Sequence, residues 1–201
     1  MNDATFFGSL TEIEPLLQKQ RMPPVERWKP SRCVDVDIRI AADGAWYHEG
    51  AVIKRAQLVR LFASILLREG DEFFLVTPEE KARIQVDDAP LLIHQVEFLS
   101  AGEGSDVWLS TSTGDYFRLD AEHPLRVVQG DSGEPRPYVR VRRNLEGLVH
   151  RNVFYALVEH ALASAEDEVA VEQGVRSGSG EEGGSELVIW SAGERFRLGS
   201  F

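Results

Sequence analysis

Two amphipathic segments of similar pattern, residues 53–68 (IKRAQLVRLFASILLR) and 148–163 (LVHRNVFYALVEHALA), most constrain what this 201-residue chain can fold into. In the first, Ile53, Leu58, Leu61, Phe62, Ile65 and Leu66 form one apolar stripe, with Lys54, Arg55, Arg60 and Arg68 off its centre. An offset of 149 − 53 = 96 lays Ile53 on Val149, Leu58 on Phe154, Leu61 on Leu157, Phe62 on Val158, Ile65 on Ala161 and Leu66 on Leu162. Arg55 then meets Arg151, and Asp71-Glu72 meets Asp167-Glu168 just before a strand. A strand precedes each helix (Val34–Ile40, Tyr138–Arg142) and a hairpin follows it, which reads as an internal duplication. Two such units each leave an apolar face to bury, and packing them against sheet creates a cleft between halves.

The remaining elements are mostly short strands. Residues 4–20 offer a helix capped by Thr11 with Glu14, ended by Pro23-Pro24, and Trp28-Lys29-Pro30 continues an extended arm with Trp28 as its anchor. Strands are predicted at Val34–Ile40, Trp46–Val52, Phe73–Thr77 and Arg83–Val86, with Gly70 as a C-cap of the first helix and 77–81 as a surface turn. A meander follows through Leu92–Leu99, Val107–Thr111, Tyr116–Leu119, Leu125–Val128 and Tyr138–Arg142. After the second helix come a strand at Val169–Val171, a Gly/Ser/Glu-rich loop at 174–185, and a hairpin turning at Ala192-Gly193. The predicted organisation is an arm over residues 1–31, a first half over 32–90 and a larger, β-rich second half over 91–201. The fold class is α+β, the second half a curved antiparallel sheet with one packed helix.

Charge and cysteine content narrow the function classes. Against 22 Lys+Arg stand 33 Asp+Glu, a net charge of −11, so the overall field repels nucleic acid and anionic membranes. No signal-peptide pattern or membrane span is legible, which predicts a cytoplasmic chain. Cys33 is the sole cysteine, so no intrachain disulfide can form, and its alternating strand context reads as a small packed residue.

Catalytic motifs are missing from the sequence. His48-Glu49 is not part of a zinc-binding HExxH, and His94, His123, His150 and His160 lack ligand spacing. There is no Gly-x-Ser-x-Gly elbow, phosphate loop or dinucleotide fingerprint, so neither metal nor cofactor is expected. The charge distribution says more: residues 132–151 hold five arginines against Glu134 and Glu146, whereas 159–194 hold nine acids against Arg176. Period-two alternation puts Tyr138, Arg140 and Arg142 on one strand face, with Val139 and Val141 facing the core. That face suits a phosphate or carboxylate, or else a solvated surface paired with the acidic tail. Thr77-Pro78-Glu79-Glu80-Lys81 and Asp120-Ala121-Glu122-His123-Pro124 carry the same two readings, anion contact or ordinary turn.

These motifs, taken in order, resemble a bacterial family, domain of unknown function 1285. The matching stretches include Pro24-Val25-Glu26-Arg27-Trp28, Val36-Asp37-Ile38-Arg39-Ile40, Leu58-Val59-Arg60-Leu61-Phe62 and Leu75-Val76-Thr77-Pro78-Glu79-Glu80-Lys81. They continue through Asp88-Ala89-Pro90, Asp120-Ala121-Glu122-His123-Pro124-Leu125, Pro137-Tyr138-Val139-Arg140-Val141-Arg142 and Phe154-Tyr155, covering about residues 23 to 160. The resemblance implies a duplicated core whose second half is superficially similar to the pleckstrin-homology fold. It also implies a site between the halves for a nucleotide-like molecule, and a role in signal transduction.

The expected function is therefore a cytoplasmic, non-enzymatic binding or sensor module for a small anionic, nucleotide-like ligand. Its expected contacts are Trp46, Arg55, Thr77, Lys81, His123, Tyr138, Arg142 and Arg151: the cations for charge-assisted hydrogen bonds, Trp46 or Tyr138 for stacking. The alternative is a protein–protein adaptor, favoured by an exposed apolar patch with a polar rim. A hydrolase using Glu80, Asp120 or His123 would require those groups to converge on one cavity.

Overall fold

The computed structural model describes residues 22–101, 104–172 and 186–200. The chain divides into two compact units, Met1–Leu91 and Leu92–Phe201. The predicted helix at 4–20 and the loop at 174–185 lie outside the described residues.

The first unit opens with a short 3-10 turn at Val25–Arg27. Val25 is buried there, so it anchors the arm, while Trp28 is half-buried. The strands are β1 (Arg32–Ile40), β2 (Trp46–His48), β3 (Ala51–Val52), β4 (Leu66–Glu69), β5 (Glu72–Val76) and β6 (Glu80–Val86), with helix α1 (Ala56–Ser64) between β3 and β4. They form one sheet in the order β3-β2-β1-β6-β5-β4. Every pairing in it is antiparallel except the central one, β1 with β6, where Arg32 lies opposite Glu80. Alternation in β1 buries Val36, Ile38 and Ile40 and exposes Asp35 and Asp37. Phe62, Ile65, Leu66 and Leu75 complete the core beside them. Cys33, expected to be packed, is exposed near the start of β1.

The first helix is shorter than its sequence pattern. It stops at Ser64, whose hydroxyl donates to the Leu61 carbonyl at 2.7 Å, and β-branched Ile65 follows as the cap. Leu66 then pairs with Leu75 as a strand residue, so its burial comes from sheet register and not from a helical stripe. Gly70 is correspondingly no helix cap. With φ +60 it takes the first position of the two-residue loop joining Glu69 to Glu72.

The second unit contains β7 (Leu91–Ala101), β8 (Gly104–Thr111), β9 (Tyr116–Arg118), β10 (Leu125–Gln129), β11 (Pro135–Arg142) and β12 (Leu145–Val149), then helix α2 (Arg151–Glu172) and the hairpin β13 (Glu186–Ser191) and β14 (Glu194–Ser200). Its sheet runs β10-β11-β12-β7-β8-β9, and β13-β14 form a separate two-stranded sheet. Two expectations fail here. Leu148 and Val149 belong to β12, where Leu145, Gly147 and Val149 alternate inward, and the helix starts only at Arg151. The strand expected at Val169–Val171 is instead the last part of α2, because no glycine or proline interrupts residues 150–173 and the Ala/Glu-rich run favours helix. The closing hairpin is held to β8 where the Val107 amide donates to Ser191 Oγ at 2.9 Å and the Ala192 amide to Asp106 Oδ1 at 3.0 Å.

The architecture is duplicated, in a register other than the helix-on-helix overlay. Numbered within its own unit, each six-stranded sheet has the order 3-2-1-6-5-4. Equivalent strands begin 58–65 residues apart, as in Arg32 to Leu91 and Glu80 to Leu145. The helices do not correspond: α1 lies between the third and fourth strands, whereas α2 follows the sixth. Likewise Asp71-Glu72 sits in a strand hairpin and Asp167-Glu168 in a helix. Any two amphipathic helices share an apolar stripe, so the helix overlay matched periodicity and not descent of the sheet.

Candidate functional site

In the first unit the residues expected to touch ligand are mostly used by the protein. Trp46 is 2% exposed and stacks on Phe62 at 5.9 Å, so it is a core residue and offers no ring face. Thr77 is buried; its hydroxyl donates to the Glu80 carbonyl at 3.1 Å and accepts the Glu80 amide at 3.0 Å, closing the β5–β6 turn. Glu80 is itself buried, with Arg32 Nη2 at 3.4 Å, so 77–81 is a turn as expected but only Pro78 and Glu79 of it are exposed. Lys81 belongs to β6, where its ammonium lies 2.5 Å from Glu69 and 4.0 Å above the Phe74 ring. Arg55 differs from these. It caps α1 through its carbonyl, and its exposed side chain makes no ion pair among the described residues.

The second unit shows the same economy around its arginines. Strand β11 alternates as expected, burying Val139 and Val141 and exposing Arg140. Tyr138 is buried as well, with the Arg126 guanidinium 4.5 Å above its ring, and that guanidinium forks onto Glu146 through two 2.8 Å hydrogen bonds. Arg142 is largely buried and pairs with Asp115. The Asp115 carboxylate also accepts the hydroxyls of Thr111 (2.7 Å) and Thr113 (3.3 Å), so the pair ties the β8–β9 turn to the end of β11. Glu146 and Asp115, the acids paired with Arg126 and Arg142, belong to the sheet and its turns.

His123 is held in its turn. Its Nδ1 lies 3.0 Å from Asp120 Oδ1, an oxygen that also accepts the amides of Glu122 and His123, and its ring stacks on Phe117 at 4.8 Å. Burial pushes the Asp120 carboxyl up, but the imidazole and the two amides outweigh it and bring the net pKa below the ordinary value. Arg151 opens α2, exposed and without an ion pair among the described residues. Of the eight expected contacts, then, Arg55 and Arg151 alone keep guanidinium groups not engaged by the described protein. Among the described residues no three His, Cys, Asp or Glu side chains form a metal-binding group.

A groove of about 760 Å³ lies within the second unit between β10, α2 and β14. Val128, Phe154, Val158, Leu162, Leu187 and Leu198 give it an apolar lining, with Arg126 and Arg197 at its rim. Val128 and Leu162 are 38% and 41% exposed. Residues 154, 158 and 162 are spaced by four along α2 and were legible as an apolar face. That the face stops short of full coverage depends on where β10 and the hairpin sit, which periodicity does not encode.

Taken together these features define a two-domain, β-rich α+β protein with an apolar groove in its second domain. The chain belongs to the family of domain of unknown function 1285: the model of that family's N-terminal domain matches residues 23–89, and that of its C-terminal domain matches residues 90–198. A crystal structure of a DUF1285 family protein from Silicibacter pomeroyi DSS-3 is 39% identical, with 89% of this chain and 88% of that chain covered and a TM-score of 0.72. A second DUF1285 family protein, from Shewanella baltica OS155, is 37% identical over 61% of this chain and 90% of its own, with a TM-score of 0.48. No functionally curated protein matches the chain.

Proposed function

We propose that this DUF1285 protein is a non-enzymatic, cytoplasmic adaptor whose second unit holds an apolar segment of a protein partner in the groove between β10, α2 and β14. The groove itself carries the reading. Its rim arginines are already satisfied, Arg126 by Glu146 and Arg197 by Glu186, so the surface suits an uncharged apolar segment better than a phosphate. Strand β10 is a sheet edge, a position from which extended segments are bound. The net charge of −11 argues against nucleic acid and anionic membranes as partners, and no helix among the described residues is long and apolar enough to cross a membrane. A role in signalling is part of this proposal, since adaptors of this kind carry no chemistry of their own.

Peptide display against the full chain tests it. Val128→Lys and Leu162→Lys place charge in the groove at exposed positions and leave the core intact. Selected apolar peptides should bind at least ten-fold more weakly to either variant. Peptides that ignore both substitutions would overturn the reading.

The second reading, a sensor for a small anionic, nucleotide-like ligand on a pleckstrin-like scaffold, draws its support from Arg55 and Arg151, the two expected contacts with open guanidinium groups. A thermal-shift screen of nucleotides and phosphorylated metabolites addresses it. A ligand at ~100 times its Kd adds about 2.7 kcal/mol of stability; Arg55→Gln should abolish that gain if the first unit binds it, and Arg151→Gln if the second does.

A further inference from the structure

The outer face of β7–β9 carries a second, independent feature. Cross-strand pairing sets Gln95, Ser110 and Tyr116 in one row and Glu97, Trp108 and Arg118 in the next, while Val107, Leu109 and Phe117 are buried on the opposite side. Trp108 and Tyr116 stack with centroids 5.0 Å apart and planes 18° apart. Tyr116 is 53% exposed, and its hydroxyl donates to Glu97 Oε2 at 3.2 Å. Local desolvation and the Glu97 carboxylate raise the phenol's pKa, so it remains a donor at neutral pH. Glu97 is exposed and makes no ion pair among the described residues; Arg118, in the same row, is engaged by Asp106 at 3.1 Å.

Elsewhere this chain places its own cations over its rings. Arg39 lies 4.6 Å from the Tyr47 centroid, Lys81 4.0 Å from Phe74 and Arg126 4.5 Å from Tyr138. The Trp108–Tyr116 pair has the most electron-rich ring of the set and a carboxylate beside it, yet no described cation covers it. Aromatic faces with an adjacent carboxylate attract ammonium and guanidinium groups, and a chain of net charge −11 reinforces the choice of sign.

We infer that this face docks an arginine or lysine side chain of a protein partner. A flat sheet face encloses nothing, so a free small cation would gain too little there. On a polypeptide, neighbouring side chains add contacts, and exposed Leu99 in the row beyond Glu97 supplies an apolar one. The residues are distinct from those of the groove, and the inference stands whether or not the groove binds.

The test titrates the full chain with a capped Gly-Leu-Arg-Gly-Arg-Gly peptide, its citrulline counterpart and N-acetylarginine amide. The Trp108 indole resonance, assigned with Trp108→Phe, is the readout. The arginine peptide should shift that resonance and the Gln95 and Tyr116 amides, and the citrulline peptide should shift none of them. Glu97→Gln and Tyr116→Ala should each weaken binding about five-fold. Tyr116→Phe keeps the ring and removes the carboxylate's donor, which covers the case in which the alanine variant misfolds, and it should still bind. Absent shifts, equal binding by citrulline, or insensitivity to Glu97→Gln in a folded variant would overturn the inference. N-acetylarginine amide binding as tightly as the peptide would overturn the partner and leave a small-cation site.

Discussion

Arg142 shows how a side chain that looks available for ligand is consumed by architecture. Its place on the polar face of β11 follows from alternation with Val139 and Val141, and that much was legible in the sequence. Its partner Asp115 lies 27 positions away in the β8–β9 turn, and no local pattern announces the pairing. Breaking a buried pair strands the remaining charge. Asp115→Asn should therefore lower unfolding free energy by about 3 kcal/mol, read from the denaturant midpoint. Asp120 makes a pH-dependent contribution. Its folded pKa lies below the ordinary value, so the stabilisation is present at neutral pH and is lost as pH falls through the acid range. The acid limb of a stability–pH curve should be shallower in Asp120→Asn. A limb of unchanged slope would show that burial of the carboxyl cancels the hydrogen bonds it accepts.

At the scale of elements, sequence periodicity placed most strands within a few residues and misjudged both helix boundaries. Ile65 and Leu66 extend a helical stripe from Leu61 and Phe62, and they equally satisfy a strand opposite Leu75; a long-range partner decides between the two. Strand β12 was missed because Leu148 and Val149 border the helix and Gly147 weakens the strand signal. That glycine has a packing role: a Cβ there would meet Ile93 Cδ1 at 3.0 Å and Val141 Cγ2 at 3.2 Å. Gly147→Ala should destabilise by about 1–2 kcal/mol through overpacking, seen as a lower Tm. The β13–β14 loop offers the opposite case. Ala192 holds φ +55 ahead of Gly193 at +76, a two-residue loop in which asparagine is better tolerated than alanine. Ala192→Asn should raise unfolding free energy by about 0.5–1 kcal/mol in chemical denaturation.

For the molecule as a whole, the excess of acids is itself a stability term. With a net charge of −11, raising NaCl from low ionic strength to about 0.15 M shortens the screening length to about 8 Å and relieves self-repulsion. A scanning-fluorimetry Tm that rises with salt is expected, and one that falls would mean the ion pairs outweigh the repulsion. The duplication was legible as a fact and not in its register, because helices advertise their period while sheet order is written in contacts between distant residues. That order has one more consequence. In the first unit the opening and final strands are partners at the middle of the sheet, Arg32 beside Glu80, and the second sheet seats its own first and sixth strands side by side. Nothing central can knit until the last strand has left the ribosome, so each half should fold late and all at once. Because those two strands run parallel, the chain enters the first sheet at Arg32, beside Glu80, and leaves it at the opposite end, where Val86 lies beside Ile40, so the ladder that closes the sheet sets where its two ends emerge.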